Sequence, residues 1–193
     1  RIAQGRPDDA WKLLQECRKQ MPDDLLIAAA CLTCLEERAD LDGYTAMAMR
    51  LPPMSDVDPV SLLRHRGQVA LRNDQTLEAV TSFQRALALD PAHVPSRMGL
   101  AQAWLILKQP ERRKQELNAT QDLARIQNRL GLAASKTPTP EVMLEIVQLS
   151  TDAGLQTAAA DVCRISLRLF KEPARFEKLL HKLTKDSSAG RAP

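Results

Sequence analysis

The 193-residue chain is poor in aromatic side chains: Phe, Trp and Tyr together make up 3% of it. No stretch alternates apolar and polar residues for long enough to argue a strand, so a sheet-based fold is not expected. The seven glycines are isolated, which excludes a glycine-rich phosphate loop. The longest apolar run, residues 25–35, is interrupted by Thr33 and falls far short of the ~20 residues that span a bilayer. Membrane insertion is therefore not expected. With no signal peptide visible, the cytoplasm is the expected compartment. Charge of neither sign dominates, since 27 Lys and Arg face 24 Asp and Glu for a net charge of +3. A nucleic-acid site would need a clustered basic face. The densest cluster, Arg112, Arg113 and Lys114, is diluted by Glu111 and Glu116 and reads as a solvated helix face.

Catalytic and metal-binding patterns are also missing. Of the four cysteines, Cys17, Cys31, Cys34 and Cys163, only Cys31 and Cys34 form a C-x-x-C pair. No second pair exists to complete a zinc site, and Leu35 stands where a haem motif needs His. The pair reads as core packing, because a free Cys behaves as a small hydrophobe. His65, His93 and His181 are scattered, with no nucleophile or carboxylate at catalytic spacing, and His65 is expected at an exposed helix position. Asp8-Asp9 and Asp23-Asp24 fall at helix starts, where the helix dipole accounts for them. Neither enzymatic activity nor a cofactor or metal is expected.

What the chain does have is Ala and Leu at helical spacing. Around residues 58–107, Leu62, Leu63, Gly67, Ala70 and Leu71 recur on one helix. Leu77, Val80, Phe83, Leu87 and Leu89 recur on the next, and Met98, Leu100, Ala101, Trp104 and Leu105 on a third. Asp58 is expected as the N-cap of the first, with Pro59 at its first helical position. Helices this short are marginal alone in water, so each must bury its apolar face on its neighbours.

This stretch resembles a tetratricopeptide repeat, a helix–turn–helix unit of 34 residues. The likeness rests on Gly67 and Ala70 in the first helix and on Ala79, Phe83, Ala86 and Pro91 in the second. Gly67 and Ala79 permit close approach, Phe83 fills the space between the helices, and Pro91 stops the second helix. Leu63 replaces the family's Trp, and Arg66 its next Leu. The fold the resemblance implies is all-α, an α-α superhelix of antiparallel helix pairs.

Counting by repeats from Pro91 divides residues 1–185 into a partial unit 1–22, a weak unit 25–53, the best unit 58–91, a degenerate unit 94–132, a linker 133–139, a loose unit 140–171 and a capping helix 173–185. A disordered tail, 186–193, follows. In the partial unit Ala10, Leu14, Cys17 and Pro22 take the places of Ala79, Phe83, Ala86 and Pro91. The weak unit's second helix is expected at 40–51, carrying Tyr44 with Ala46 or Met47. The degenerate unit's second helix is some two turns over length. The chain begins at Arg1 rather than Met, so a fragment cut from within an array is expected, with Trp11 and Leu14 uncovered.

In the resembled family the first helix of each unit lines a concave groove that holds a peptide or a partner helix. Carried over by position, the groove here comprises Ala29, Thr33 and Glu36, then Arg64, Gln68 and Arg72, then Met98, Gln102 and Leu105, then Leu144 and Gln148. A subgroup grips chaperone C-termini through a Lys/Asn/Arg clamp. That set is missing here, with Ala29 and Thr33 in the first places, so chaperone binding of that kind is not expected. Arg64, Gln68 and Arg72 share one helix face and suit an acidic or amide-bearing peptide. Met98 and Leu105 add an adaptable apolar contact. The expected function is a non-catalytic protein–protein interaction scaffold. The alternatives are a self-association module stacking on a second copy, or a regulatory arm of a larger protein.

Overall fold

A computed structural model describes residues 7–135, 138–170 and 174–189. Among these the chain is all-α, with no strand. Its helices are α1 (Pro7–Gln20), α2 (Leu25–Glu37), α3 (Leu41–Ala48), α4 (Val60–Arg72), α5 (Thr76–Leu89), α6 (Val94–Ile106), α7 (Pro110–Ser135), α8 (Pro140–Asp152), α9 (Gln156–Leu169) and α10 (Ala174–Ala189). Within two compact units, Arg1–Arg113 and Lys114–Pro193, α1 packs on α2, α2 on α3, α4 on α5, α5 on α6, α8 on α9 and α9 on α10. No described helix is long and apolar enough to cross a membrane.

Four of the turns between helices share one design. After α2, α4, α6 and α8 a single residue takes a left-handed conformation: Ala39 (φ 54°), Asp74 (φ 59°), Lys108 (φ 54°) and Gly154 (φ 77°). The amide that follows each one reaches back to a helix carbonyl. Asp40 bonds Leu35 at 3.0 Å, and Gln75 bonds Ala70, Gln109 bonds Trp104 and Leu155 bonds Ser150, each at 2.8 Å. These bonds satisfy carbonyls that a helix end leaves open. The left-handed conformation costs a non-glycine residue about 1–2 kcal/mol, so three of the four turns form against local preference. Ala39, Asp74 and Lys108 follow one another at one 34-residue period, to within a residue.

Counting from these residues puts the pairs in register. Phe83, nine residues after Asp74, is fully buried. A Cβ on Gly67 of its own pair would lie 2.6 Å from its ring, and one on Gly99 of α6 only 2.3 Å. The ring thus occupies room that both glycines leave open. The preceding pair reverses the arrangement. Its register places Ala48 where Phe83 stands, and Leu32 and His65, both 0% exposed, where the two glycines stand. Bulk has moved from the second helix to the first helices on either side.

Around these seams α2 and α3 bury Ala29, Cys31, Leu32, Leu35, Tyr44 and Met47, with Trp11 and Leu14 of α1 partly buried against them rather than open. The second unit has its own core of Ile126, Met143, Ile146, Val147, Cys163, Phe176 and Leu183. Phe170 stacks on Phe176 at 6.0 Å.

Several local expectations need correction. The second helix of the weak unit stops at Ala48, eight residues long against 14 in α5. Asp58 does not cap α4, which starts at Val60 after Pro59 without a side-chain cap. Its buried carboxylate instead accepts from Arg66 Nε at 2.6 Å and from the Ser55 hydroxyl at 2.7 Å. Arg66 also donates to the Pro52 carbonyl at 2.7 Å, and Arg85 to that of Ser55 at 2.8 Å, so two arginines strap the connection down. Leu77 and Leu89 lie 71% and 58% exposed, because the buried stripe of α5 runs through Ala79, Val80, Phe83 and Ala86. Helix α7 runs 26 residues, to Ser135, and α10 continues to Ala189. Residues 190–193 of the expected tail, and the expected helix ends at Lys171 and Pro173, lie outside the described residues.

Gly99→Ala should cost about 1–3 kcal/mol, as overpacking does in a full core. Urea denaturation checks it. The same substitution made beside Phe83→Leu should cost clearly less, and equal costs in both backgrounds would contradict the shared space.

Candidate partner-binding face

Helices α2, α4 and α6 lie side by side, α2 against α4 and α4 against α6. Where α2 and α4 meet, polar side chains fill the seam. Arg64, only 8% exposed, forks onto Glu36, with Nη1 to Oε1 at 3.1 Å and Nη2 to Oε2 at 2.7 Å. Nη1 also donates to Gln68 Oε1 at 3.1 Å. Beneath them His65 Nε2 lies 2.8 Å from Arg64 Nη2 and 3.0 Å from Thr33 Oγ1, and Nδ1 lies 3.0 Å from the Tyr44 hydroxyl.

The direction of each bond follows from Arg64. A guanidinium donates and never accepts. Nε2 of His65 must therefore be the bare nitrogen, and the proton sits on Nδ1. That N–H donates to the Tyr44 oxygen, and the Tyr44 hydroxyl in turn donates to Gln68 Oε1 at 3.3 Å. The Thr33 hydroxyl has the Ala29 carbonyl at 3.1 Å as a second acceptor. Burial, then the Arg64 charge, bring the His65 pKa down to about 3, so the ring is neutral. Burial, followed by the nearby Glu36 charge, pushes Tyr44 up to about 12. Burial acts to raise Glu36, but the Arg64 hydrogen bonds and charge outweigh it and hold the carboxyl below its usual range.

Above this seam the surface opens. Arg72, at the exposed end of α4, lays its guanidinium over the Tyr44 ring at 4.6 Å. Gln68, Leu71 and Arg72 of α4 and Gln102 of α6 line a depression of about 420 Å³. Further along α6, Met98 and Leu105 stand 48% and 53% exposed.

The groove residues named from sequence thus separate into two sets. Arg64 and Glu36 hold each other, and Thr33 meets His65 Nε2 and the Ala29 carbonyl, so Arg64 is not free to grip a ligand. Ala29 is buried beneath them. Gln68 bridges the sets. Arg72, Gln102, Met98 and Leu105 face outward. In the second unit Leu144 packs against the core, and Gln148 donates to Asp152 at 2.8 Å. Sequence reasoning missed Tyr44 as a member of the seam and placed His65 at the surface. The signal for both was a bulky residue at the register position of Gly99.

The packing of Phe83 between Gly67 and Gly99, with the repeated left-handed turns, decides the fold. The helix pairs are tetratricopeptide-like. No protein-family model matches the chain, and no curated protein matches it. Among solved structures, the crystal structure of MamA is similar with a TM-score of 0.45 and 13% identity, over 97% of this chain and 94% of that one. The crystal structure of the APC/C hetero-tetramer Cut9-Hcn1 is similar with a TM-score of 0.39 and 14% identity, over 94% of this chain but only 40% of that one. The depression lies between α4 and α6.

The seam makes stability depend on pH. A histidine whose pKa falls on folding is protonated more readily in the unfolded chain, so stability drops as pH falls from about 6.5 toward 3. The low pKa of Glu36 acts in the same sense at the acid end of that window. Urea melts at pH 7 and pH 4.5 should show a larger loss in the native chain than in His65→Gln, where no ring can take up the proton. Equal losses would contradict the buried neutral state.

Proposed function

We propose that the chain is a non-catalytic interaction scaffold that binds a segment of a partner protein on the face shared by α2, α4 and α6. The observation that carries this reading is the exposed row of Arg72, Gln102, Met98 and Leu105 over a seam already fixed by hydrogen bonds. Such a surface is preorganised, so a ligand that settles on it orders little more than itself. Apolar side chains standing beside donors match the usual make-up of a contact patch, and exposed Met adapts to varied partners. The His65 ring is fully enclosed, with each nitrogen already engaged, so it supports positioning rather than proton transfer to a substrate.

The reading is tested by capture from native lysate with the whole chain, the double variant Met98→Asp/Leu105→Asp, and Thr81→Asp on an exposed position of α5. All three substituted side chains are exposed, so the fold should tolerate them. Proteins retained by the native chain should be lost from the α6 variant and kept by the α5 variant. The same proteins retained by all three would contradict this face.

A further inference from the structure

Resting on that reading, we propose that the site is selective for an acidic side chain: an extended partner segment sets an Asp or Glu carboxylate against Arg72, with an apolar neighbour on Met98 and Leu105. Arg64 and Glu36 neutralise each other, His65 is neutral and Tyr44 keeps its proton. What remains at the surface is one cation, Arg72, with no carboxylate partner among the described residues. Its guanidinium lies over the Tyr44 ring, which fixes its position while leaving N–H groups at its edge for a carboxylate.

The hydrogen-bond direction points the same way. Gln68 Oε1 is occupied by donors from Arg64 and Tyr44, so the amide's accepting end is turned into the seam. Its NH2 end remains, part of it helping to hold Glu36. Gln102, across the depression, has an amide that no described residue holds, so its NH2 is free to turn toward a carboxylate. The depression therefore offers donors and a positive charge. Arg64 alone fixes the Gln68 oxygen inward at 3.1 Å, and Tyr44, which accepts from His65 Nδ1–H, adds a second donor to it. A basic segment finds a like charge there, and a purely apolar one leaves Arg72 desolvated without a partner.

The test uses random short peptides displayed on phage as N-terminal fusions, so that no free C-terminal carboxylate is on offer, selected on the whole chain. Enriched peptides should carry Asp or Glu close to Leu or Met. A synthetic peptide of that sequence, followed by fluorescence anisotropy, should bind Arg72→Gln at least about tenfold more weakly, as loss of a charged hydrogen bond implies. Changing its acid to the amide should weaken binding to the native chain and hardly alter binding to Arg72→Gln. Enriched peptides without an acid, or insensitive to Arg72→Gln, overturn the acidic selectivity. If these are still lost on Met98→Asp/Leu105→Asp, the face survives and only its chemistry is wrong. Peptides indifferent to both variants, or no enrichment over bare support, overturn the face as well.

Discussion

A guanidinium has five donors and no acceptor, and Arg64 places one of them 2.8 Å from a ring nitrogen of His65. That one contact settles the tautomer of a buried histidine and, through it, the direction of the hydrogen bonds that join His65, Tyr44 and Gln68. Tyr44 must accept from the ring and donate onward. Gln68 must accept at its oxygen and present its nitrogen. The fork onto Glu36 keeps Arg64 in place and balances its charge inside a site where an unpaired ion would be costly. Polar groups at that depth are tolerable only because each has a partner of the right kind.

The seam has a counterpart one pair further along, where Phe83 enters the room left by Gly67 and Gly99. Both solve the same problem, which is how to fill the space between a second helix and the first helices on either side. One puts a ring on the second helix and nothing on the others. The other puts Leu32 and His65 on the first helices and only Ala48 on the second. A ring nitrogen brought into the core needs hydrogen bonds, and Thr33, Arg64 and Tyr44 supply them. The apolar solution stabilises by burial alone, whereas the polar one also fixes orientation at the surface above it.

Much of the architecture was legible in the sequence. Gly67, Ala79, Phe83 and Ala86 carry a 34-residue pattern, and helical spacing identified the apolar faces. The turns were harder to read, because Ala39, Asp74 and Lys108 adopt a conformation that normally advertises itself as glycine. The weak second unit was obscured because its bulk sits on the opposite helices, so Ala48 occupies the place where an aromatic was sought. Of the candidate face, Arg72, Gln102, Met98 and Leu105 were named from position alone, and all four stand exposed. Arg64 was named with them, but its engagement with Glu36, 28 residues away, is a tertiary pairing that helical spacing cannot reveal. His65 looked exposed since it stands between two arginines. One of them turns inward to pair with Glu36, and the other is drawn to Asp58.

The order of donors through His65, Tyr44 and Gln68 turns on a single proton, on Nδ1 of one ring. Long-range ¹⁵N–¹H NMR on the imidazole of His65 observes it directly. The account predicts one stable neutral form at pH 7 and still at pH 5, protonated at Nδ1 and bare at Nε2. A signal from protonated Nε2, or a doubly protonated ring by pH 5, would contradict it.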